Sequence, residues 1–237
     1  MNPADLQQRI AESAAARYRA AGRFAYYFAK GKLSGDPVFA AILAQELVPD
    51  NARILDLGCG QAILASWLLA ARECHGSGDW YESWPQPPRS WTFHGFELAP
   101  RDVSRANLAL GDFALVEIGD IRTASFGNAD VIVILDVLHY MDPANQESVL
   151  DRARLALSPD GVLLLRIGDA SGGLAFRLSN WLDQAVVFVR AHRWARLHCR
   201  PAVAWMKLLA GMGFNVRAIH MSAGTPFCDV LLVAQPR

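Results

Sequence analysis

The stretch at residues 54–62 constrains the fold of this chain more than any other part of its sequence. Apolar residues lead into an acid, two glycines then flank a cysteine, and a helix-forming run follows. An apolar run bounded by glycine predicts a buried strand, so we expect a strand, a tight turn and a helix. Such a turn lets a ligand approach bare backbone and directs helix N–H groups at negative charge. The sequence therefore predicts a ligand site on Asp56, Gly58, Cys59 and Gly60.

Strands and helices alternate along the rest of the chain. Strands are predicted at residues 91–97, 113–118, 130–135, 162–167, 214–220 and 227–234, and helices at 3–29 with a break at Gly22, 38–47, 63–71, 100–111, 143–157 and 201–212. This alternation predicts an α/β fold, a doubly wound, mostly parallel seven-stranded sheet with helices on both faces. The short link at residues 221–226 suits a hairpin, so we expect the last strand to run antiparallel near an edge.

The chain is expected to divide into an N-terminal helical cap at residues 1–49, which is basic and aromatic, and a main domain at residues 50–237. Ligands of doubly wound sheets bind beyond the carboxyl ends of the strands. The apolar insertion at residues 168–200 follows a strand, so it should lie over the site. The Trp- and Pro-rich segment at residues 73–90 joins a helix back to a strand, and we expect it at the opposite edge as an irregular loop.

Composition excludes several classes of function. The net charge is +0 with 19% charged residues, which argues against a nucleic-acid partner. No apolar stretch reaches the ~18 residues of a membrane span, although surface association of the insertion stays open. The four cysteines lack paired spacing, which favours free thiols in a cytoplasmic protein. His192, His198 and Cys199 match no common metal-ligand pattern, so no metal site is expected.

Five short motifs follow one another in the order found in a known family. They are residues 56–60, Glu97, residues 119–121, residues 136–140 and a turn at 158–162. In this order they resemble the motifs of class I S-adenosylmethionine (SAM)-dependent methyltransferases, over about residue 50 to the C-terminus. The resemblance implies SAM as the cofactor.

The resemblance also implies a role for each motif. The implied cofactor residues are Asp56, Gly58, Cys59 and Gly60 for the amino-acid tail, Glu97 for the ribose diol, and Asp120 and Ile121 for the adenine. Leu98, next to Glu97, and Asp136, after the fourth strand, are expected at the cofactor as well. A carboxylate accepts hydrogen bonds from both hydroxyls of a diol, which suits Glu97. Ala62 departs from the family pattern, because a third glycine often stands there.

His139 is the candidate for acid–base chemistry, because it follows the fourth strand and could take a proton from the methyl acceptor. The alternative is a packing residue at a helix entry. The expected acceptor is a small or carrier-bound, largely apolar molecule of aromatic or acyl type. Two alternatives stay open, a non-catalytic SAM-fold scaffold and an NAD-linked oxidoreductase. The second is disfavoured because Ile63 stands where the dinucleotide-binding fingerprint has its third glycine. The acceptor atom and the oligomeric state stay open too.

Overall fold

The computed structural model describes residues 2–169, 197–221 and 229–237. The helices in these ranges are α1 (Pro3–Ala16), α2 (Arg23–Gly35), α3 (Pro37–Ala44), α4 (Ile63–Gly76), α5 (Pro100–Leu110), α6 (Pro143–Ala156) and α7 (Ala202–Gly211). The strands are β1 (Ala52–Leu57), β2 (Trp91–Glu97), β3 (Leu115–Ile118), β4 (Ala129–Leu135), β5 (Leu157–Gly168), β6 (Phe214–His220) and β7 (Asp229–Pro236). The predicted α/β alternation is confirmed.

The strands form a seven-stranded sheet in the order β3-β2-β1-β4-β5-β7-β6. β1 pairs in parallel with β2, and β2 pairs in parallel with β3. β7 runs antiparallel to both of its neighbours, β5 and β6. The predicted doubly wound sheet with one reversed strand near an edge is therefore confirmed.

The chain forms two compact units, residues 1–125 with 129–131, and residues 126–128 with 132–237. In the first unit, α1 packs against α2 and α4. The buried Ser66 hydroxyl of α4 donates a hydrogen bond to the Ala14 carbonyl of α1 at 2.9 Å. The N-terminal helices thus belong to the same compact unit as β1, β2 and β3, and the expected domain division at residue 49 stays a prediction.

Three helices begin with a side-chain cap. The carboxamide of Asn2 and the carboxylates of Asp36 and Asp142 each accept a hydrogen bond from a backbone N–H of the first turn, at 2.9, 3.0 and 2.9 Å. A proline follows each cap, where its missing N–H has no helical partner to lose. These local signals place the starts of α1, α3 and α6.

Two local predictions are wrong. α4 continues to Gly76, so the first residues of the segment at 73–90 are helical rather than irregular. The turn predicted at residues 158–161 is part of β5, because Leu157 already has extended backbone (φ −77°, ψ 133°) and the chain passes directly from α6 into the strand.

The predicted positions of the two insertions, residues 73–90 and residues 168–200, are not equally testable in the structure. The Arg89 N–H donates to the Asp50 carboxylate at 2.6 Å, and the Ser90 carbonyl accepts from the Asn51 N–H at 2.7 Å, just before β1 begins. The segment at 73–90 therefore ends at the amino edge of the strands, as expected. The insertion at residues 168–200 lies largely outside the described residues. Of the helices described, none combines the length and apolar character needed to cross a membrane.

Candidate functional site

The glycine turn after β1 presents bare backbone to open space. Gly58 and Gly60 have positive φ angles of 82° and 57°, which favour glycine. The Phe96 carbonyl of β2 accepts hydrogen bonds from the N–H groups of Gly58 and Cys59, at 2.8 and 3.1 Å. A side chain built on Gly60 would meet no atom within 4 Å. The turn is fixed from β2, and a ligand can approach its backbone.

Ala62 stands at the start of α4 in the left-handed conformation (φ 53°, ψ 40°) and makes no side-chain cap hydrogen bond. A non-glycine residue in this conformation costs roughly 1–2 kcal/mol. The first N–H groups of α4 therefore have no side-chain acceptor at the N-cap, and the helix dipole gives this end a partial positive charge. This backbone geometry is one that favours glycine, and here an alanine adopts it at some strain.

Glu97 joins the end of β2 to the glycine turn. Its carboxylate accepts from the Gly60 N–H at 3.0 Å through Oε2 and from the Ala99 N–H at 2.8 Å through Oε1. A carboxylate has about four acceptor sites, so two remain for further donors. Leu98 next to it is 59% exposed. Sequence reasoning placed Glu97 at the site, and the structure adds that it also holds the turn.

Asp56 is a buried acid without a partner in the described part of the chain. Its residue is 5% exposed. Burial and, to a smaller extent, the charge of Glu97 raise the pKa of the Asp56 carboxyl to about 8. A buried carboxylate is stable only beside a cation or hydrogen-bond donors. This position is therefore suited to a positively charged ligand group.

Cys59 fills space between the turn and β2. A Cβ atom built on Gly95 would lie 2.6 Å from the Cys59 Sγ atom, so the glycine makes room for the thiol. Burial, with added repulsion from Asp56 and Glu97, raises the pKa of this thiol well above its ordinary value. A thiol of this kind is unreactive, and the contribution of Cys59 to a ligand site comes from its backbone.

Gln61 is a residue of this turn that sequence reasoning missed. It is 1% exposed, and both polar atoms of its side chain are buried without a hydrogen-bond partner in the described part of the chain. Its carbonyl accepts a hydrogen bond from the Tyr18 hydroxyl at 2.8 Å. A buried unpaired amide is rare in native proteins and needs an explanation. Its position in the sequence, between Gly60 and the start of α4, is the feature that could have pointed to Gln61 as a site residue.

Asp120 and Ile121 follow β3. The Gly119 N–H donates to the Glu97 carbonyl at 3.1 Å, which sets this segment next to the end of β2. Arg122 donates to the Asp120 carboxylate from its backbone N–H and its Nε, each at 2.9 Å, and this pairing lowers the pKa of Asp120. Ile121 is 4% exposed. The adenine role of Asp120 stays a prediction, and Arg122 already occupies much of its acceptor capacity.

In the second unit, Asp136 follows β4 with a left-handed φ of 59°. The Arg166 side chain from β5 is 2% exposed and donates to the Asp136 carboxylate through Nε at 2.7 Å and through a second nitrogen. This pair joins the exit of β4 to β5 and neutralises both charges. The structure therefore gives Asp136 a structural partner, and its predicted contact with a cofactor stays a prediction.

His139 lies in the one-turn helix Leu138–Tyr140 after β4. Its Nε2 atom is buried without a hydrogen-bond partner among the residues described. Burial lowers the pKa of the imidazole, with the Arg166 charge in the same direction and the Asp136 charge opposed. The His139 carbonyl accepts from the His198 N–H at 2.8 Å, which fixes the backbone. The lowered pKa favours the neutral imidazole, and its Nε2 atom makes no hydrogen bond among the residues described.

The predicted site residues fall into two groups. Asp56, Gly58, Cys59, Gly60 and Glu97 meet around one turn in the first unit, and Gly119 brings Asp120 and Ile121 next to them. Asp136 and His139 lie in the second unit beside Arg166. Among the described residues, no group of three or more His, Cys, Asp or Glu side chains could hold a metal ion.

The reversed strand and the glycine turn define the fold class of the Rossmann-like methyltransferases. The profile of a family described as a methyltransferase domain matches residues 19–219, and the chain belongs to that family. The resemblance drawn from the motifs is confirmed, with SAM as the cofactor of the class.

Curated relatives with partial matches are carboxy-S-adenosyl-L-methionine synthases. That of Chromohalobacter salexigens is 33% identical over 132 residues, which cover 52% of this chain and 43% of the relative. That of an Enterobacter species is 27% identical over 130 residues, or 52% and 47% of the two chains. The chain spans about half the length of the curated relatives it matches.

Solved structures share the fold at low sequence identity. Magnesium protoporphyrin IX methyltransferase from Synechocystis PCC 6803, solved with bound SAH, superimposes with a TM-score of 0.60 at 16% identity over 100% of each chain. The pyocyanin biosynthetic protein PhzM gives a TM-score of 0.63 at 17% identity, over 90% of this chain and 58% of PhzM. These likenesses show the fold alone.

Proposed function

We propose that this protein is a SAM-dependent methyltransferase that acts on a small or carrier-bound, largely apolar acceptor. One observation carries the proposal. The glycine turn combines a buried, unpaired acid at Asp56 with an uncapped helix N-terminus, and Glu97 stands at the end of the neighbouring strand. Asp56 thus provides a site for a cation, the helix N-terminus a site for an anion, and Glu97 an acceptor for a diol, all at one turn.

The chemistry of SAM fits this set of groups. Asp56 suits the ammonium of the amino-acid tail, the first N–H groups of α4 suit its carboxylate, and Glu97 has acceptor sites left for the ribose hydroxyls. SAM, when bound, supplies an electrophilic methyl group on a sulfonium. The task of the chain is then to bind this cofactor and to hold an acceptor in line with the methyl group, which accounts for much of the rate of such transfers.

His139 supports a proton-accepting role in the proposed reaction. A base must be unprotonated at the working pH, and burial lowers the pKa of His139. Its Nε2 atom has no competing hydrogen bond in the described part of the chain. The competing hypothesis is a packing residue, since transfer to an acceptor that is already nucleophilic requires no base.

The expected class of acceptor rests on the sequence and on the names of relatives. Residues 170–196, rich in Leu, Val, Phe and Trp, lie outside the described residues. Structural relatives include the magnesium protoporphyrin IX methyltransferase and a family 2 O-methyltransferase from Planctomyces limnophilus in complex with apigenin, at 19% identity and a TM-score of 0.62. These planar molecules support an aromatic acceptor for this chain.

The partial match to carboxy-SAM synthases supports a second candidate, the modification of SAM itself. The products separate the two reactions. Methyl transfer leaves demethylated SAM and a methylated acceptor, whereas synthesis of carboxy-SAM leaves a carboxylated form of the cofactor. Mass spectrometry of the small molecules after incubation with SAM and a small-molecule cell extract, which supplies the methyl acceptor or the carboxyl donor, distinguishes them.

Calorimetry with SAM and its demethylated product tests the proposal. Glu97→Gln should weaken binding by at least about tenfold, because an amide offers fewer acceptor sites to the two N–H groups and the ribose diol. The matched control is Glu117→Gln, on exposed β3, which should bind as the wild type does. Absence of binding to the wild type, or unchanged affinity in Glu97→Gln, contradicts the proposal. Incubation of cell extract with methyl-labelled SAM then identifies the acceptor.

A further inference from the structure

We propose that the Gln61 side chain is a cofactor-binding group and that Tyr18 is its positioning residue, so that the N-terminal helices take part in cofactor binding. The proposal rests on the proposed function, because it assigns two more residues to the same site. It goes beyond the cofactor residues assigned above, which include neither Gln61 nor Tyr18.

The first observation is the unpaired amide of Gln61. The residue is 1% exposed, and Nε2 and Oε1 are both buried without a partner in the described ranges. Leaving a buried donor or acceptor unpaired destabilises a folded protein. A chain that retains two such groups next to an uncapped helix N-terminus is suited to a ligand that pairs with them. The unpaired amide and the helix end are independent observations at one place.

The second observation is the contact from Tyr18. Tyr18 lies in the one-turn helix Arg17–Arg19 between α1 and α2 and is 0% exposed. Its hydroxyl donates to the Gln61 carbonyl at 2.8 Å. Burial raises the pKa of Tyr18 far above its ordinary value, so the hydroxyl stays a neutral donor. A buried hydrogen bond from a separate segment fixes the backbone at the residue whose side chain is unpaired.

The chemistry of an amide identifies the part of the cofactor. Gln61 follows Gly60 and directly precedes Ala62, the N-cap of α4, which makes no side-chain cap hydrogen bond. A primary amide donates through Nε2 and accepts through Oε1. The amino-acid tail of SAM has a carboxylate to accept and an ammonium to donate, so one amide can pair with both groups of the tail.

Calorimetry with demethylated SAM, well below the melting temperature, tests this assignment. Gln61→Met keeps the length of the side chain and removes both unpaired polar atoms. The variant should bind the ligand about tenfold or more weakly while its melting temperature rises or stays unchanged. A merely structural glutamine would give the opposite pattern, a lower melting temperature with unchanged affinity, and that result would overturn the proposal.

Tyr18→Phe removes the donor to Gln61 and should weaken ligand binding about three- to tenfold. The matched control is Tyr27→Phe on α2, because Tyr27 is 61% exposed and the same atom is removed. Equal affinity in Tyr18→Phe and the control overturns the positioning role. If Tyr18→Phe does not fold, Gln61→Met alone decides the assignment of the side chain. Failure of the wild type to bind any SAM derivative refutes the proposed function instead, so the two failures are distinguishable.

Discussion

Asp56 makes the free protein less stable as the pH rises. The folded protein holds the pKa of this carboxyl at about 8, against 3.8 for an ordinary aspartate. Between these values the folded state binds a proton that the unfolded state has released. The free energy of unfolding therefore falls as the pH rises from about 4 to about 8, by at most about 1.4 kcal/mol per pH unit, and is level above that range.

Replacing Asp56 with asparagine removes this dependence. Over the whole interval the wild type should lose a few kcal/mol relative to Asp56→Asn, with on the order of 5 kcal/mol as the upper limit from linkage. The measurement is urea unfolding followed by tryptophan fluorescence at several pH values between 4 and 9. The exposed Asp112→Asn serves as the control for a generic loss of one acid, and it should parallel the wild type.

Binding of the cofactor should show the opposite pH trend. The ammonium of the tail prefers the ionised carboxylate, so below pH 8 binding must release the Asp56 proton. Affinity for demethylated SAM should then rise by up to about tenfold per pH unit towards pH 8 in the wild type. Asp56→Asn should bind more weakly and show less of this rise. If the wild type and Asp56→Asn showed the same pH dependence of stability and the same pH dependence of affinity, the assignment of Asp56 as a cation site would be refuted.

Three further predictions concern single positions. Ala62→Gly should raise the free energy of unfolding by about 1 kcal/mol, because glycine relieves the left-handed strain, and thermal unfolding measures it. Gly95→Ala should destabilise the protein by about 1–3 kcal/mol through its clash with the Cys59 thiol, and the added change Cys59→Ala should restore part of the loss. His139→Ala should abolish turnover of labelled SAM while cofactor affinity stays within about twofold, if the imidazole is the base.

Each of these predictions has a result that contradicts it. No gain in Ala62→Gly would mean that the turn relaxes without strain. If the losses of stability from Gly95→Ala and Cys59→Ala simply added, the thiol would not be what limits the space at residue 95. Full turnover in His139→Ala would leave His139 as a packing residue.

Much of the fold was predictable because the chain marks its boundaries with local signals. Asn2, Asp36 and Asp142 cap helices in the structure as their side chains allow, and Gly22 divides the N-terminal helices. The position of Glu97 beside the glycine turn was predictable because parallel strands bring their carboxyl ends to one edge. The prediction of a turn at residues 158–161 was wrong because turn-forming residues also occur in extended backbone when a strand begins directly after a helix.

The electrostatics of the site could not be predicted from the sequence. Asp120 and Asp136 have the residue type that the family pattern needs, but their arginine partners become apparent only in three dimensions. The Asp136–Arg166 pair spans 30 positions of the chain and joins two strands. The main-chain carbonyl of Gln61 likewise accepts its hydrogen bond from Tyr18, 43 positions away. Sequence patterns give the residue types at an edge of a sheet, whereas burial and pairing depend on the whole unit.

The placement of β7 has a consequence for how the chain is made. β7 is the last strand in the chain but lies between β5 and β6 in the sheet. β6, at the end of the strand order, therefore gains its neighbour only after residues 229–236 have left the ribosome. A nascent chain that stops before Asp229 lacks β7, so β6 has no strand to pair with and the sheet is two strands short. The edge of β5 is then unpaired and exposed. We expect the second unit to complete its folding only after residues 229–236 have left the ribosome.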